Sequence, residues 1–484
     1  MYQVTQGSTY NLPDVARFLD LLNQLPNHSD PAVRSLFTPE GALVVTRAPG
    51  RLDLMGGIAD YSGSLVLQMP IQEATLVALQ RTAEPVLQIV SLGDERTTAE
   101  GEHDVVHSAF SMSLNELIDE TQPVGYAVAQ AHFKRNPATA WAAYAAGAFL
   151  VLMRERGAHF PGGARILIHS DVPEGKGVSS SAAIEVAVMS AIAAAYDIAI
   201  SARELAILCQ KVENLVVGAP CGIMDQMSSA CGAAHQLLAL LCQPAEIQGL
   251  VTIPPELAVW GIDSGLRHAV SGADYGSVRV GAFMGYRILQ SVAGHNWDGY
   301  LANLTPSQFE QEYAHHLPLQ LQGSAFLAQC GNTTDTVTTV DPNRSYAVLK
   351  PTAHPIYEHF RVRTFANLLQ GDILANAPQL GELMYQSHAS YSACGLGSDG
   401  TDTLVKLARQ TGAQQGIYGA KITGGGSGGT VAILGRHDAE AAVERIAAEY
   451  ATATGHQPII FRGSSLGAAA FGALHVQTNA TGEG

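Results

Sequence analysis

Residues 171–185 read Asp171-Val-Pro-Glu-Gly-Lys-Gly-Val-Ser-Ser-Ser-Ala-Ala-Ile-Glu185. An apolar run at 164–169 precedes this stretch and an alanine-rich run at 181–196 follows it, which predicts a strand, a glycine-containing loop and the start of a helix. Gly175 and Gly177 allow backbone angles and close approaches that a side chain would block. The serines at 179–181 add hydroxyls at a helix N-terminus, whose unpaired N–H groups suit a polyphosphate. Taken alone, the pattern is equally typical of an ordinary capped helix, and it lacks the Lys-Ser of a P-loop.

Composition limits the classes of function. The 484 residues, 47% of them hydrophobic, are enough to build two domains. The formal net charge of −16 argues against nucleic acid or an anionic membrane as the main partner. Six cysteines without C-x-x-C spacing predict reduced thiols, and the first residues lack the pattern of a signal peptide. We expect a cytoplasmic protein that acts on small molecules and needs no obligatory protein partner.

Three separated motifs occur in the order found in one enzyme family. The run Pro173-x-Gly-x-Gly-x-Ser-Ser-Ser-Ala-Ala183 resembles the second motif of the GHMP kinases, which include galactokinase, homoserine kinase and mevalonate kinase. Pro49-Gly-Arg-Leu-Asp-Leu-Met-Gly56, with Asp60-Tyr61, resembles the galactokinase signature, and Lys421-Ile-Thr-Gly-Gly-Gly-Ser-Gly-Gly-Thr430 resembles the third GHMP motif. The resemblance extends over roughly residues 40–475. Three ordered matches more than a hundred residues apart are much more specific than a single glycine run.

The resemblance implies an α+β fold of two domains, with mixed and antiparallel sheets packed by helices and the active site between the domains. We expect a helical N-terminal lead at 1–40, an N-terminal GHMP kinase domain at 41–245 and a C-terminal domain at 246–484. Three local patterns bear on the site. They predict a turn at 48–50, an amphipathic helix at 202–215 and a polar loop at 331–339.

ATP and Mg²⁺ are the cofactors that the resemblance implies. The residues expected to hold ATP form one contiguous loop and helix start: Pro173, Glu174, Gly175, Lys176, Gly177, Val178, Ser179, Ser180, Ser181 and Ala182. Glu213, with the hydroxyl of Ser180 or Ser181, is expected to bind Mg²⁺, which keeps few protein ligands. The glycines of the third motif, Gly424, Gly425, Gly426 and Gly428, are expected to pack against the phosphate loop. Without the family spacing, Glu213 would be interpreted as a solvated residue on a helix face.

The same resemblance implies the catalytic and sugar-binding residues. Asp225 matches the aspartate that faces the acceptor hydroxyl in galactokinases, and Arg51 matches the arginine beside it. Residues expected to contact the sugar are Arg51, Gly57, Ile58, Asp60, Tyr61, Gly222, Asp225 and Tyr275; the last belongs to the stretch 263–276, which resembles a serine-rich galactokinase loop. In isolation, Arg51 would be interpreted as part of a surface salt bridge, Asp225 as a helix cap and Tyr275 as a core aromatic residue.

One departure from the galactokinase pattern concerns the sugar. Galactokinases read Gly-Glu-His-Thr-Asp-Tyr where this chain reads Gly56-Gly-Ile-Ala-Asp-Tyr61. The missing Glu and His lie, in that family, near the exocyclic hydroxymethyl group of galactose. L-Arabinopyranose is galactopyranose without that group, and the segment 55–71 resembles the branch of the family that phosphorylates L-arabinose. Neutral drift within a galactokinase is the alternative interpretation of this change.

The sequence therefore predicts a sugar-1-kinase that transfers the γ-phosphoryl group of ATP to the anomeric hydroxyl of L-arabinose. One alternative is a galactokinase that makes galactose 1-phosphate. A second alternative, from another class, is a non-catalytic sensor of ATP and sugar. A sensor is expected to have lost part of the phosphate loop or its aspartate, whereas the serines of the loop, Asp225, Glu213 and Arg51 are all present here.

Overall fold

A computed structural model describes residues 1–39, 41–97, 103–266 and 275–478. Most of the stretch that resembles the serine-rich loop, residues 267–274, lies outside the described residues, as do residue 40 and the C-terminal residues 479–484. No helix in the described ranges has the length and apolar character needed to span a membrane.

The described chain contains runs of consecutive strands and runs of consecutive helices. The strands are β1 (Tyr2–Gln6), β2 (Leu43–Met55), β3 (Leu65–Arg81), β4 (Val86–Thr97), β5 (His103–Ser113), β6 (Ile118–Asp119), β7 (Gln122–Pro123), β8 (Ala164–Ser170), β9 (Gln236–Leu241), β10 (Glu246–Thr252), β11 (Leu257–Asp263), β12 (Gln320–Gln322), β13 (Ser345–Ala347), β14 (Ile417–Ile422), β15 (Thr430–Arg436), β16 (Ile460–Phe461) and β17 (Ala473–Thr478).

The helices are α1 (Pro13–Gln24), α2 (Pro31–Arg34), α3 (Tyr126–Lys134), α4 (Ala143–Arg156), α5 (Ser180–Ala195), α6 (Ala202–Lys211), α7 (Met224–Cys231), α8 (Tyr275–Ala293), α9 (Pro306–Gln308), α10 (Gly323–Cys330), α11 (Leu349–Leu368), α12 (Ile373–Ala393), α13 (Asp399–Thr411), α14 (Glu440–Thr454) and α15 (Ala468–Phe471). Two shorter segments carry residues of the site: a 3-10 turn, Gly57–Ser62, and a π-helical turn, Val212–Val217.

Two main sheets organise the chain. The larger sheet has the order β1-β17-β2-β3-β8-β4-β5. The first residues of β3 also pair with β9, which in turn pairs with β10. Its neighbours are antiparallel except β4 and β8, which run parallel. The smaller sheet has the order β14-β15-β11-β16 and is antiparallel throughout. The mixed and antiparallel sheets confirm the predicted fold class.

Apolar clusters join these layers. On one face of the larger sheet, strand residues such as Val77 and Ile166 pack with Phe149 of α4 and Met189 of α5. The opposite face packs against α1. A third cluster joins the two sheets, because Leu52 and Met69 of the larger sheet share it with Val259 and Leu434 of the smaller one and with helices α11 and α12. This shared core packs the first motif against β15, the strand that follows the third motif.

Four local details differ from the sequence predictions. The turn predicted at 48–50 is wrong, because β2 continues through Pro49 and absorbs the irregularity as a bulge between Pro49 and Arg51. The N-terminal lead contains a strand, β1, as well as helices. The C-terminal strand β17 pairs with β1 and β2, so the last described residues belong to the larger sheet. Pairing in that sheet also continues past residue 245, to Thr252.

Candidate active site

The phosphate loop has the predicted strand, loop and helix. Strand β8 ends at Ser170 and α5 begins at Ser180. Ser179, just before the helix, has a left-handed φ of 63°, an uncommon conformation for a serine. Its hydroxyl donates to Asp225 Oδ2 at 2.6 Å instead of capping the helix. The first N–H groups of α5 thus remain available to an anion at the loop.

Arg51 and Asp225 form the centre of the site. Arg51 is 2% exposed, and its Nε and Nη2 atoms donate to Asp225 Oδ1 at 3.0 and 2.8 Å. Its Nη1 atom donates to the carbonyl of Gly177 at 2.7 Å. The Asp225 side chain keeps 21% exposure. Strand β2, the phosphate loop and α7 therefore converge on one carboxylate, which is held from both oxygens and still reachable from solvent.

Asp60 is a second buried carboxylate near this centre. It is 3% exposed and accepts the N–H groups of Tyr61 at 2.6 Å and Met224 at 3.4 Å. Burial, followed by the neighbouring charge of Asp225, raises the pKa of Asp60 to about 7. A Cβ atom on Gly222 would lie 1.7 Å from Asp60 Oδ2. Only glycine at 222 leaves room for this carboxylate.

Aromatic rings and one arginine surround Asp60. Tyr61 and Tyr275 contact each other edge to face, with ring centroids 5.7 Å apart. The guanidinium of Arg279 lies 5.4 Å from the Tyr61 ring centroid, and the charge of Arg279 lowers the pKa of Asp60. Arg279 also donates to both carboxylate oxygens of Asp335 at 2.8 Å and to the carbonyl of Cys221 at 2.9 Å. The bidentate pair with Asp335 orients the Arg279 guanidinium, and its hydrogen bond to Cys221 then fixes the backbone next to Gly222.

A network of buried polar side chains lies next to the N-terminal turn of α5. The side-chain amide of Gln226 donates to Glu213 Oε2 at 2.6 Å and to Glu185 Oε2 at 3.0 Å. Burial, followed by the charge of Asp225, raises the pKa of Glu213 to about 7, while a hydrogen bond from Ser181 opposes this rise. Burial raises the pKa of Glu185 well above its ordinary value. Of the two serines predicted as metal ligands, Ser181 is the one that contacts Glu213.

The third motif packs against the phosphate loop. The hydroxyl of Thr430 donates to the carbonyl of Lys176 at 2.8 Å. A Cβ atom on Gly424 would lie 2.7 Å from the carbonyl of Gly177, so a larger residue would push the two loops apart. Lys176 itself pairs with the buried Asp263 of β11 at 2.7 Å. The third motif therefore lies directly against the backbone of the phosphate loop.

A fully buried ion pair ties the first motif to the third. Lys421 Nζ lies 2.5 Å from Asp53 Oδ2, and neither side chain is exposed. Asp53 Oδ1 also accepts from the Gln68 amide at 2.6 Å and from the Gly57 N–H at 2.9 Å. The Asp53 N–H donates to the Thr423 hydroxyl at 2.6 Å. This network sets the position of the turn that carries Gly57 and Asp60.

The predicted residues of the phosphate loop and of the sugar site, apart from Gly57 and Ile58, fall into three groups. Arg51, Gly177, Ser179 and Asp225 are in direct contact, and Asp60, Tyr61, Gly222 and Tyr275 lie beside them. Val178 packs into the core, where its carbonyl accepts the Arg51 N–H at 3.0 Å, and Ala182 is buried. The remaining phosphate-loop residues are partly or fully exposed: Pro173, Glu174, Gly175, Lys176, Ser180 and Ser181.

Several residues of the site carry no signal in the sequence. Arg279 and Asp335 are 56 positions apart, and Asp335 lies in the segment interpreted only as a polar loop. Tyr391, whose hydroxyl accepts the Ile58 N–H at 2.8 Å, is 333 positions away from it. Neither pairing has a local pattern that could reveal it. Gln226 directly follows Asp225 in the sequence, and this adjacency is a weak hint of its place in the site.

Comparisons with known proteins identify the family of the chain. Models of the GHMP kinases N terminal domain, the GHMP kinases C terminal region and the galactokinase galactose-binding signature match residues 143–233, 367–452 and 34–81. The chain is 46% identical to the L-arabinokinase of Arabidopsis thaliana over 98% of its own length. It spans about half of that relative, 52% of its length.

Other relatives are matched over most of their length. The galactokinase of Chloroflexus aggregans is 31% identical over 86% of this chain and 90% of that protein. Among solved structures, Lactococcus lactis galactokinase complexed with galactose superposes with a TM-score of 0.71 at 20% identity, covering 93% of this chain and 99% of that chain. A mevalonate kinase superposes with a TM-score of 0.50. The chain belongs to the GHMP kinase family, in its galactokinase-like branch.

Proposed function

We propose that this chain transfers the γ-phosphoryl group of ATP to the anomeric hydroxyl of L-arabinose, giving L-arabinose 1-phosphate and ADP. The branch of the family, together with the 46% identity to an L-arabinokinase, supports this activity. The observation that carries the choice of sugar is the turn Gly57–Ser62, which has glycine and isoleucine where galactokinases have Glu and His. Ile58 is fully buried in an apolar cluster, so it offers no hydrogen bond to a hydroxymethyl group.

Asp225 is the acceptor carboxylate in this proposal. Phosphoryl transfer needs chiefly alignment of the acceptor and stabilisation of charge on the transferred group. Two donors from Arg51 and one from Ser179 fix both oxygens of Asp225. The carboxylate orients the anomeric hydroxyl and receives its proton as the oxygen bonds to phosphorus. Arg51, beside it, balances the negative charge that develops on the phosphoryl oxygens.

Asp60 and its neighbours bind the rest of the sugar. A buried carboxyl with a pKa of about 7 can accept hydrogen bonds from sugar hydroxyls and, when protonated, can donate one. Gly222 leaves the space for it, and the Tyr61–Tyr275 pair forms an aromatic wall next to it. Arg279 donates to the Cys221 carbonyl and so keeps the backbone next to Gly222 in place.

The residues at the phosphate loop and next to it fit ATP and Mg²⁺. The N-terminus of α5 and the serine hydroxyls suit the phosphates of ATP. Glu213 and Ser181 would hold Mg²⁺. Burial, with the neighbouring charge of Asp225, raises the pKa values of Glu213 and Glu185, and a divalent cation would favour their ionised form. When bound, Mg²⁺ neutralises charge on the phosphate oxygens.

Phosphorus NMR of a reaction with MgATP and L-arabinose tests the proposal. We expect ADP and a sugar 1-phosphate in equal amounts from the unchanged protein. Asp225→Asn should reduce the rate by at least about a thousandfold, since it removes the charge that accepts the proton. Asp438→Asn, at an exposed pair with Arg436, is the matched control and should keep full activity. No transfer to any sugar, or full transfer by Asp225→Asn, would contradict the proposal.

A further inference from the structure

The turn at Gly57 leaves no room for a side chain. Gly57 has a φ of 42°, and a Cβ atom placed on it would lie 1.5 Å from the hydroxyl oxygen of Tyr391. The same Cβ atom would lie 2.7 Å from Cζ of that ring and 2.7 Å from Asp53 Oδ2. Real Cβ atoms stay more than about 3 Å from such neighbours. The Tyr391 ring therefore occupies the volume that any residue larger than glycine would need at position 57.

The hydroxyl of Tyr391 also holds the turn in place. It accepts the N–H of Ile58 at 2.8 Å and donates to the carbonyl of Gly424 at 3.1 Å. Tyr391 is 0% exposed and belongs to α12, whereas Ile58 and Gly424 belong to the first and third motifs. One hydroxyl therefore connects the turn of the sugar site to the glycine loop next to the phosphate loop.

The ring of Tyr391 is held on several sides. His354 of α11 contacts it edge to face, with ring centroids 5.2 Å apart, and Lys421 Nζ lies 5.2 Å from its ring centroid. The apolar cluster of Tyr391 also contains Ile58, and Tyr61 and Tyr275 pack against this cluster. A displaced ring would thus move Ile58 relative to the aromatic wall of the sugar site.

We propose that Tyr391 is a specificity-determining positioning residue that works with Gly57. Its ring fills the place next to residue 57, and its hydroxyl fixes the Ile58 peptide, so that the apolar Ile58 side chain closes the part of the pocket where a hexose carries its hydroxymethyl group. The preference for a pentopyranose over the matching hexopyranose then depends on a tyrosine far away in sequence. This inference rests on the proposed function.

Kinetics of Tyr391→Phe with both sugars test the inference. The variant keeps the ring and loses both hydrogen bonds, so the turn can shift. We expect the ratio of kcat/KM for L-arabinose to that for D-galactose to fall about tenfold, the scale of discrimination for one small group in an apolar pocket. The KM for ATP should stay unchanged. Tyr286→Phe is the matched control, because this buried tyrosine also donates to a backbone carbonyl, that of Asn296 at 2.5 Å, and should keep the ratio.

Different kinetic results would contradict the inference and the proposed function. A wild-type chain that prefers D-galactose contradicts the proposed function itself. A wild-type preference for L-arabinose that Tyr391→Phe leaves unchanged overturns only the role of Tyr391. An equal loss of kcat/KM for both sugars also overturns it, because a merely structural role predicts that result.

A double-mutant cycle gives a second test, independent of activity and of the folding of Tyr391→Phe. Gly57→Ala should lower the thermal unfolding midpoint strongly in the wild-type background and much less together with Tyr391→Leu. The strain of alanine at a positive φ is the same in both backgrounds and cancels. Equal shifts in the two backgrounds would overturn the close packing of these residues.

Discussion

Replacing Asp60 with asparagine should make the stability of the ligand-free protein less dependent on pH. Asp60 has a pKa of about 7 in the folded chain against an ordinary value of 3.8, chiefly because it is buried. The folded state therefore binds a proton that the unfolded state has released between these values. This contribution to stability is complete below the unfolded pKa and is lost as the pH rises through about 7.

The size of the effect follows from the two pKa values. Between about pH 5.5 and about pH 8, Asp60 should remove about 2 kcal/mol from the free energy of unfolding. The carboxyl is 3% exposed, so solvent screening does not reduce this value. Nearby charges that act on it are those of Asp225, which raises its pKa, and Arg279, which lowers it. Both remain in the Asp60→Asn variant.

Urea unfolding at the two pH values measures the effect. The substitution lowers the free energy of unfolding by the same amount at both pH values, because the Met224 N–H loses its acceptor oxygen. This constant loss cancels in the comparison. The free-energy gap between wild type and Asp60→Asn should shrink by about 2 kcal/mol on going to the higher pH. Asp20→Asn, an exposed position on α1, should show a constant gap. A gap for Asp60→Asn that does not change with pH would refute the reasoning.

Three further variants test other contacts. Arg51→Lys should lower kcat about a hundredfold or more with saturating substrates, since lysine cannot supply both hydrogen bonds to Asp225. Lys421→Met should lower the free energy of unfolding in urea by about 3–5 kcal/mol, because it leaves the buried charge of Asp53 without its cation. Gly222→Ala should raise the KM for sugar about tenfold or more and spare the KM for ATP, because the new methyl group meets a carboxylate 1.7 Å away.

Each variant has a result that would count against its prediction. Near-normal kcat for Arg51→Lys would mean that the paired hydrogen bonds to the acceptor carboxylate are not needed for transfer. A Lys421→Met protein as stable as the wild type would show that the ion pair is replaceable by packing. Equal increases in both KM values for Gly222→Ala would indicate a general distortion of the site.

The site could be predicted where its residues are contiguous. The loop at 171–179 lies between β8 and α5 as predicted, because a β-branched run, two glycines and an alanine-rich run each have a strong local preference. The family resemblance placed Arg51 and Asp225 together although they are 174 positions apart.

Long-range contacts explain what could not be predicted. The 202–215 helix ends earlier, at Lys211, and Glu213 lies in a π-helical turn whose burial depends on α4 and α7 packing nearby. Strands β3 and β4 appeared adjacent in sequence, but β8 lies between them. The exchange at Gly57 was visible in the sequence. Its partner Tyr391 became apparent only in the folded chain, where a Cβ atom on Gly57 would lie 1.5 Å from the Tyr391 hydroxyl oxygen.

A competition reaction tests the central claim most directly. Equal concentrations of L-arabinose and D-galactose are mixed with limiting MgATP and the purified chain, and the two sugar 1-phosphates are separated and counted by mass spectrometry. The product ratio equals the ratio of the two kcat/KM values. We predict that L-arabinose 1-phosphate dominates by about tenfold to a hundredfold. An excess of galactose 1-phosphate would contradict the claim that the Gly57–Ser62 turn selects a pentopyranose.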